Sequence, residues 1–411
     1  MTSQPTKTSF PKDHIKVLLL ENIHRTAIDI LQAEGYQIET HRGSLSPTEL
    51  ATAIADIHLL GIRSGTKVSA EVLTNARRLL AIGAFCIGTN QIDLATAAKQ
   101  GIAVFNAPFS NTRSVVELAL GEMIMLIRRT VLLSARTHAG EWHKSAEGSH
   151  ELRGKTLGIV GYGNIGSQLS VLAESLGMKV RFFDLVPKLA LGNAQPVESL
   201  AKLLSLADVV SIHVDGRPAN ADLIGPSEFD RMKRGSYFLN LSRGHVVDQS
   251  ALAAAIANQH LAGAAVDVYP DEPDKGGRLS SPLQGLPNVI LTPHVGGSTM
   301  EAQAAIGQFV ADKFLNFVNH GDSSLSVSLP NVSLPPQQGS HRLLHIHRNV
   351  PGVLAKINNI LAATGANIIG QFLGTSGEIG YVITDLSQTS SQTVRRALVQ
   401  IPETIKLRLL Y

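Results

Sequence analysis

The sequence predicts an α/β protein: two open parallel-sheet units, the second interrupting the first, followed by a small βαββαβ sandwich. Three observations carry this. From His14 the pattern alternates short apolar runs with helical stretches. A glycine turn, Gly161-Tyr-Gly163-Asn-Ile-Gly166, sits between one such run and a helix. Residues 339–411 read strand, helix, strand, strand, helix, strand.

Residues 1–13, polar with Pro5 and Pro11, read as a flexible tail. Strands are expected at 15–20, 37–41, 57–62, 79–84 and 103–106, with helices at 23–34, 69–75 and 91–100 between them. A further helix starts at Ser46, whose hydroxyl can cap; Pro47 suits the first turn and Glu49 completes a capping box. This flavodoxin-like unit, 14–108, is complete before the glycine turn. Residues 111–138 read as one long helix with Val116, Leu120, Met123, Ile124 and Ile127 at helical spacing and Arg128 and Arg129 near its exposed end. Six strands are then expected, at 157–161, 180–184, 208–213, 236–240, 263–268 and 289–292, the number a Rossmann-like doubly wound unit uses; it spans 109–298. A helix at 299–320 returns to the first unit, which is therefore discontinuous over 14–108 and 299–330. A Pro-, Gln- and Ser-rich stretch over 323–340 holds the linker, assigned to 331–338. The ferredoxin-like unit 339–411 closes the chain, with strands at 342–348, 367–375, 378–385 and 405–410 and helices at 350–365 and 390–400.

Of 411 residues, 44% are hydrophobic and 17% charged, as in an ordinary globular protein. Lys and Arg number 36 against 33 Asp and Glu, a net +3 with no dense basic run, so nucleic acid is not expected as a partner. No apolar run reaches a membrane span and the polar start lacks a signal-peptide core, so no membrane partner is expected and the cytoplasm fits. The single cysteine, Cys86, forbids an intramolecular disulfide and reads as a small buried residue. No metal is expected.

The glycine turn fits a dinucleotide. Gly161 and Gly163 let the backbone approach a pyrophosphate, Gly166 lets the helix pack on the strand, and the first helical amides hold the phosphates. Asp184 ends the next strand, 18 residues after Gly166. A carboxylate there accepts from an adenosine ribose and repels a 2'-phosphate, which favours NAD over NADP. The bland alternative is a tight turn with a solvated aspartate. Three more residues follow later strands: Arg243 in Asn-Leu-Ser-Arg-Gly, Glu272 in Val-Tyr-Pro-Asp-Glu-Pro, and His294 in Leu-Thr-Pro-His-Val-Gly-Gly. Taking hydride from an alcohol carbon needs a base for the hydroxyl proton, and histidine titrates near neutrality. A carboxylate beside it fixes its tautomer, and an arginine holds a 2-hydroxy acid's carboxylate in a fork. Singly, Arg243 reads as a strand cap, Glu272 as a solvated charge and His294 as one of 15 histidines. In this order after a dinucleotide turn they read as one set.

The motifs Phe85-Cys86-Ile-Gly-Thr-Asn-Gln-Ile-Asp, Asn106-Ala-Pro-Phe-Ser-Asn111-Thr-Arg-Ser, Gly161-Tyr-Gly-Asn-Ile-Gly, Leu241-Ser-Arg-Gly and Thr292-Pro-His-Val-Gly-Gly-Ser-Thr carry a family resemblance. From about His14 to Tyr411 the chain resembles the D-isomer-specific 2-hydroxyacid dehydrogenases, and among them the branch that acts on 3-phosphoglycerate and carries one C-terminal ACT domain. The resemblance implies NAD-dependent oxidation of 3-phospho-D-glycerate to 3-phosphohydroxypyruvate, the first step toward L-serine, with reduction of 2-oxoglutarate as a side activity. It implies Arg243 as substrate-binding and catalytic, Glu272 as the histidine's partner and His294 as the proton-transfer residue. It implies that Asn164, Ile165, Asp184, Leu241, Ser242, Arg243, Asp267, His294, Val295, Gly296 and Gly297 line NAD, with His213 near the adenine. Arg63 and Asn111 would contact substrate. The Trp142-His143-Lys144 segment resembles one that reaches a neighbouring subunit's active site; Trp142 also reads as an interface anchor.

The last unit resembles an ACT domain, an amino-acid sensor that binds L-serine as an allosteric inhibitor at a dimer interface. His347 and Asn349 would come from one chain and Asn367 from the other, since imidazole and amides together can match both ends of an amino acid. The bland alternative is a dimerisation module. Pairing through the ACT and cofactor units would give a homotetramer. One position departs from the family pattern: Gly65 stands where close relatives have a second arginine, two residues after Arg63. If that segment is extended, Lys67 shares its face, and Lys67 or Lys144 would replace the missing charge. Two alternatives stay open: another D-2-hydroxy acid as substrate, and, in a different class, a non-catalytic NAD- or serine-sensing protein, against which the intact Arg–Glu–His set argues.

Overall fold

A computed structural model of the chain describes residues 10–273, 277–335, 339–387 and 391–411. The chain divides into two compact units, residues up to Ser110 together with Gln303–Tyr411, and Asn111–Ala302. The first unit opens with β1 (Lys16–Leu19), α1 (Arg25–Ala33), β2 (Gln37–Thr40), α2 (Pro47–Ala53), β3 (Leu59–Ile62), α3 (Ala70–Leu73), β4 (Ala81–Ala84), α4 (Leu94–Lys99) and β5 (Ala103–Asn106). The strands are parallel in the order β2-β1-β3-β4-β5, the flavodoxin-like winding. Alternation sends Leu19, Leu59 and Phe105 to one face and Leu18, Leu60 and Val104 to the other, each into its own buried cluster. At the start of α2 the Ser46 side chain accepts from the Glu49 amide while Glu49 Oε2 accepts from the Ser46 amide at 2.9 Å, the reciprocal pair expected from the sequence.

In the second unit the expected single helix over 111–138 is two: α5 (Thr112–Ile127) and α6 (Thr130–His138). Arg129 between them is left-handed at φ +53°. The apolar stripe that holds α5 ends at Ile127, and α6 has no buried residue. The straight continuation therefore gains no burial, and the Arg129 guanidinium instead donates to the Glu147 carbonyl at 2.9 Å. There follow β6 (Thr156–Val160), α7 (Asn164–Ser175), β7 (Lys179–Phe183), β8 (Gln195–Pro196), α8 (Leu200–Leu206), β9 (Val209–Ile212), α9 (Pro226–Arg231), β10 (Ser236–Asn240), α10 (Gln249–Ala257), β11 (Leu261–Val266) and β12 (Val289–Leu291). The sheet has seven parallel strands, β12-β11-β10-β9-β6-β7-β8, where six were expected. The extra one, β8, is a two-residue edge strand containing Pro196, too short to leave a periodic signal. The winding reverses at β6, with β9 on one side and β7 on the other, and ligands sit beyond the carboxyl ends of strands at such a point.

α11 (Met300–His320) leads back. From Gln303 on it belongs to the first unit, and Val310, Phe314 and Phe317 bury against β1–β5. Gly83 on β4 leaves the room for this, since a Cβ there would lie 2.7 Å from the Phe314 ring. The last sheet comprises β13 (His341–Arg348), β14 (Ile368–Ser376), β15 (Ile379–Leu386) and β16 (Thr404–Leu410), with α12 (Val353–Ala363) and α13 (Ser391–Leu398). Its antiparallel order is β14-β15-β13-β16. One face packs on α12 and α13 through Leu343, Val382 and Ile357. The other presents Leu344, Ile346, Tyr381 and Ile383 to the same cluster as Phe314 and Phe317.

Cations of the last sheet bind the end of α11. Arg408 donates to the Phe317 and Val318 carbonyls at 3.1 and 2.6 Å, and Arg342 to that of His320 at 3.0 Å. Tyr381 adds a bond to the Gly321 carbonyl at 2.6 Å. Positive groups at a helix C-terminus add donors to its last carbonyls, of which that of Phe317 also accepts from the Gly321 amide at 3.0 Å, and complement the dipole. The stretch before the sheet is held rather than loose: Leu329 and Val332 are buried, and Val327 donates to the Val104 carbonyl at 2.9 Å. Residues 1–9 of the expected tail and 336–338 of the expected linker lie outside the described residues. Among the described residues no helix is long and apolar enough to cross a membrane.

Candidate active site

The glycine turn has the shape a dinucleotide needs. Gly161 has φ +91°, and a Cβ there would lie 2.6 Å from the His213 carbonyl oxygen; a Cβ on Gly166 would overlap the Gly161 carbonyl. Only glycine lets the turn close and α7 dock on β6. The Cβ position of Gly163 has nothing within 4 Å, and no side chain caps α7. The open approach and the free amides of Asn164 and Ile165 suit a phosphate. Asp184 Oδ2 accepts from the Tyr162 amide at 2.9 Å and Oδ1 from the Val186 amide at 3.1 Å, so this carboxylate also braces the turn. His213 shares a hydrogen bond with Ser211 Oγ at 2.8 Å, and its Nδ1 is buried without a partner. Burial pushes its pKa down to about 4, which keeps the ring neutral.

Arg243, Glu272 and His294 follow the carboxyl ends of three adjacent strands, β10, β11 and β12. Buried Asn240 shapes the first turn: its Oδ1 accepts from the Ser242 amide and hydroxyl at 3.1 and 2.8 Å, and its Nδ2 donates to the Arg243 carbonyl at 3.0 Å. Leu241, in that turn, is buried. A Cβ on Gly244 would overlap the Tyr269 backbone, so the Arg243 turn lies directly against the chain leading to Glu272. The Arg243 side chain passes over Gly216, 3.1 Å from its Cβ position. His294 Nδ1 and Glu272 Oε2 are 2.8 Å apart, and both side chains are partly exposed. A carboxylate accepts, so Nδ1 carries the proton and Nε2 is the basic nitrogen.

His294 itself is left-handed, φ +54°. Asp267, buried, holds that turn: Oδ1 accepts from the Thr292 hydroxyl at 2.6 Å and the Val295 amide at 2.8 Å, and Oδ2 from the Gly296 amide at 2.8 Å. Three donors on one carboxylate fix the loop, and one lone-pair direction is left over. A Cβ on Gly297 would overlap Asn111 Nδ2, so Asn111 meets the end of the same loop.

In the first unit, Arg63 follows β3 in an irregular turn rather than an extended strand. Thr66 and Val68 are buried while Gly65 and Lys67 are exposed, which leaves Lys67 on the outer side. Trp142, 86% exposed, and Lys144 lie on the exposed stretch after α6. On the last sheet, His347 is buried, shares a bond with the Arg348 carbonyl at 2.9 Å and keeps Nε2 unpartnered. Asn349 donates to the Gly377 carbonyl at 3.0 Å. Asn367 precedes β14 at the end where Ile368 pairs with Leu386, whereas His347 pairs with Gly380 at the other end. One chain therefore does not bring the three together.

Three residues that sequence reading passed over stand out. Glu21 and Asn240 act through backbone groups, which no motif advertises. Glu122 shares the buried face of α5 with Val115, Ala119 and Leu126, and both its carboxyl oxygens are buried without partners. Burial pushes its carboxyl up to about 8, with the Asp267 charge adding to the effect. A lone acid on an apolar helical face was the available signal.

Residues 120–296 match the NAD-binding domain of the D-isomer specific 2-hydroxyacid dehydrogenases, and residues 343–406 match an AHAS small subunit-like ACT domain. The D-lactate dehydrogenase of Aquifex aeolicus, solved with NAD and lactic acid, aligns over 77% of this chain and 100% of its own, with TM-score 0.64 and 25% identity. An NAD-dependent oxidoreductase of the 2-hydroxyacid dehydrogenase class is thus defined by fold and site together. The D-3-phosphoglycerate dehydrogenase of Escherichia coli strain K12 is 50% identical over 98% of this chain and 100% of its own length. That of Dictyostelium discoideum is 49% identical over 98% and 99%. The chain belongs to the D-3-phosphoglycerate dehydrogenase family.

Proposed function

We propose that this enzyme oxidises 3-phospho-D-glycerate to 3-phosphohydroxypyruvate in the cytoplasm, at the entry to L-serine synthesis. The observation that carries the chemistry is the 2.8 Å His294–Glu272 pair, with Arg243 following the end of the adjacent strand β10. Bound NAD supplies the hydride acceptor for C2. Arg243 grips the substrate carboxylate in a fork and turns C2 toward the acceptor. As the C2–H bond breaks, His294 Nε2 takes the hydroxyl proton, and the Glu272 carboxylate stabilises the imidazolium that forms. The balance is one alcohol oxidised to a ketone, one NAD reduced, one proton left on His294. Gly161 and Gly163 would let the pyrophosphate approach, the amides of Asn164 and Ile165 would hold it with Gly166 keeping α7 close on β6, Asp184 would accept from the ribose, and Asp267, Ser242, Val295 and Gly296 would line the cofactor.

Arg63 and Asn111 contact the substrate, and Lys67 or Lys144 answers the phosphate in place of the charge that Gly65 lacks. The last domain binds L-serine between two chains through His347, Asn349 and Asn367 and lowers turnover, in a homotetramer. The opposite ends that these residues occupy within one chain agree with a site completed by a second. Reduction of 2-oxoglutarate follows from the same arginine grip. The test is NADH-linked turnover of 3-phosphoglycerate, D-glycerate and D-lactate, with and without L-serine. Preference for the phosphorylated acid, suppressed by serine, is expected. Preference for an unphosphorylated acid would make Gly65 the determinant of a different substrate. Binding of NAD without turnover of any hydroxy acid would overturn the enzymatic reading.

A further inference from the structure

We propose that Glu21 is the positioning residue for the substrate's anionic end, holding Arg63 and the turn after it in their binding arrangement; this rests on the 3-phosphoglycerate reading above. Glu21 Oε1 accepts from the Arg63 and Thr66 amides at 3.0 and 2.9 Å, and Oε2 from the Gly65 amide at 2.8 Å. The Arg63 carbonyl in turn accepts from Gln91 Nε2 at 2.9 Å. Both backbone groups of Arg63 are thus tied by side chains from distant segments, which leaves its guanidinium as the part free to meet a ligand. Bonds from amides to a carboxylate are charge-assisted and directional, so the turn is set before substrate arrives.

The backbone at Glu21 is itself unusual. Glu21 and Asn22 are both left-handed, φ +62° and +53°, in a region glycine prefers. Such strain persists only where the surroundings over-determine it, and it clusters at functional sites. Here the bend aims the carboxylate at the 63–66 turn and also ties in a second loop: the Glu21 amide donates to the Gly43 carbonyl at 3.1 Å and the Asn22 amide to that of His41 at 3.4 Å. Ser44 of that loop lies 3.9 Å from the Cβ position of Gly65. Arg42, Arg63 and Lys67 therefore ride on two loops joined through one residue. Among the described residues none of the three is paired with a carboxylate. The Glu21 carboxylate is turned onto three amides, and its one negative charge is outnumbered by the three cations, so the net charge offered to a ligand is positive, as a phosphate or carboxylate requires.

Glu21→Ala and Glu21→Gln decide the matter. Glutamine keeps an oxygen for the Arg63 and Thr66 amides but turns an NH2 toward the Gly65 amide, so it stands between alanine and the parent. The expected result is a KM for 3-phosphoglycerate raised by about tenfold or more in Glu21→Ala and less in Glu21→Gln. The KM for NAD and kcat stay within about twofold, since Glu21 supports binding of the acid equally in the ground and transition states. Hydrogen exchange over residues 63–66, followed by mass spectrometry, speeds in the same order. A parental KM for 3-phosphoglycerate in both variants overturns the proposal, as does an equal rise in both KM values with a lowered melting temperature, which would make Glu21 a general stability residue. If the parent enzyme prefers another hydroxy acid, the substrate assignment falls, while the KM for that acid and the exchange of 63–66 still decide the role of Glu21.

Discussion

Replacing Glu122 by glutamine should flatten the pH dependence of stability in the second unit. Glu122 is 1% exposed, and its carboxyl is raised from an ordinary 4.5 to about 8, first by burial and then by the Asp267 charge. Below pH 4.5 the acid holds its proton whether the chain is folded or not, and it penalises folding least. Between 4.5 and about 8 the unfolded chain releases the proton while the folded chain retains it, so stability falls as pH rises. Each pH unit in that window is worth about 1.4 kcal/mol, so the loss between pH 5 and pH 7 is about 2–3 kcal/mol. Glutamine has the same shape and no proton to lose. It leaves a buried amide, which shifts stability by a constant amount, so the slope is diagnostic and the offset is not. Urea unfolding at pH 5, 6, 7 and 8, followed by circular dichroism, gives the variant-minus-parent difference at each pH. That difference should grow in favour of glutamine by about 2–3 kcal/mol from pH 5 to 7. A difference flat in pH would refute the reasoning and mean that Glu122 is ionised in the folded enzyme.

Two further outcomes follow from the geometry. His294→Asn should lower kcat by about 10²–10⁴-fold while NAD still binds, because the proton acceptor is lost and the turn held by Asp267 remains; retained turnover in NADH-linked assays would remove His294 from the chemistry. Arg342→Met leaves the Asp385 carboxylate, which has 0% side-chain exposure, without its charged partner. It should destabilise the last domain by about 3–5 kcal/mol, and Arg342→Met with Asp385→Leu should recover much of the melting temperature, because a buried pair replaced whole is tolerated far better than one broken.

What the sequence made legible was whatever local chemistry decides. The Ser46–Glu49 box, the glycine turn and the βαββαβ order each depend on residues close in the chain. The Arg243, Glu272 and His294 set was readable because each lies just past a strand. The break at Arg129 was not readable, since neither glycine nor proline marks it and the loss of a burial surface beyond Ile127 is a tertiary matter. Glu21 binds amides some forty positions away, and Asp267 anchors a turn from another strand. Such side-chain-to-backbone bonds leave no periodic trace, because the acceptor's identity is visible and its target is not. The buried acid Glu122 breaks the apolar pattern of α5, and a pattern-based reading treats such a break as noise.

The grip of Arg408, Arg342 and Tyr381 on the end of α11 makes the C-terminal domain a poor candidate for excision. A chain cut before β13 would lose the donors to the Phe317, Val318, His320 and Gly321 carbonyls, and it would open the cluster around Phe314 and Phe317 to water. The ACT domain is thus grafted into the first unit rather than strung behind it. Recombining it with another enzyme would require the end of α11 and the stretch after it to travel as part of the same genetic cassette.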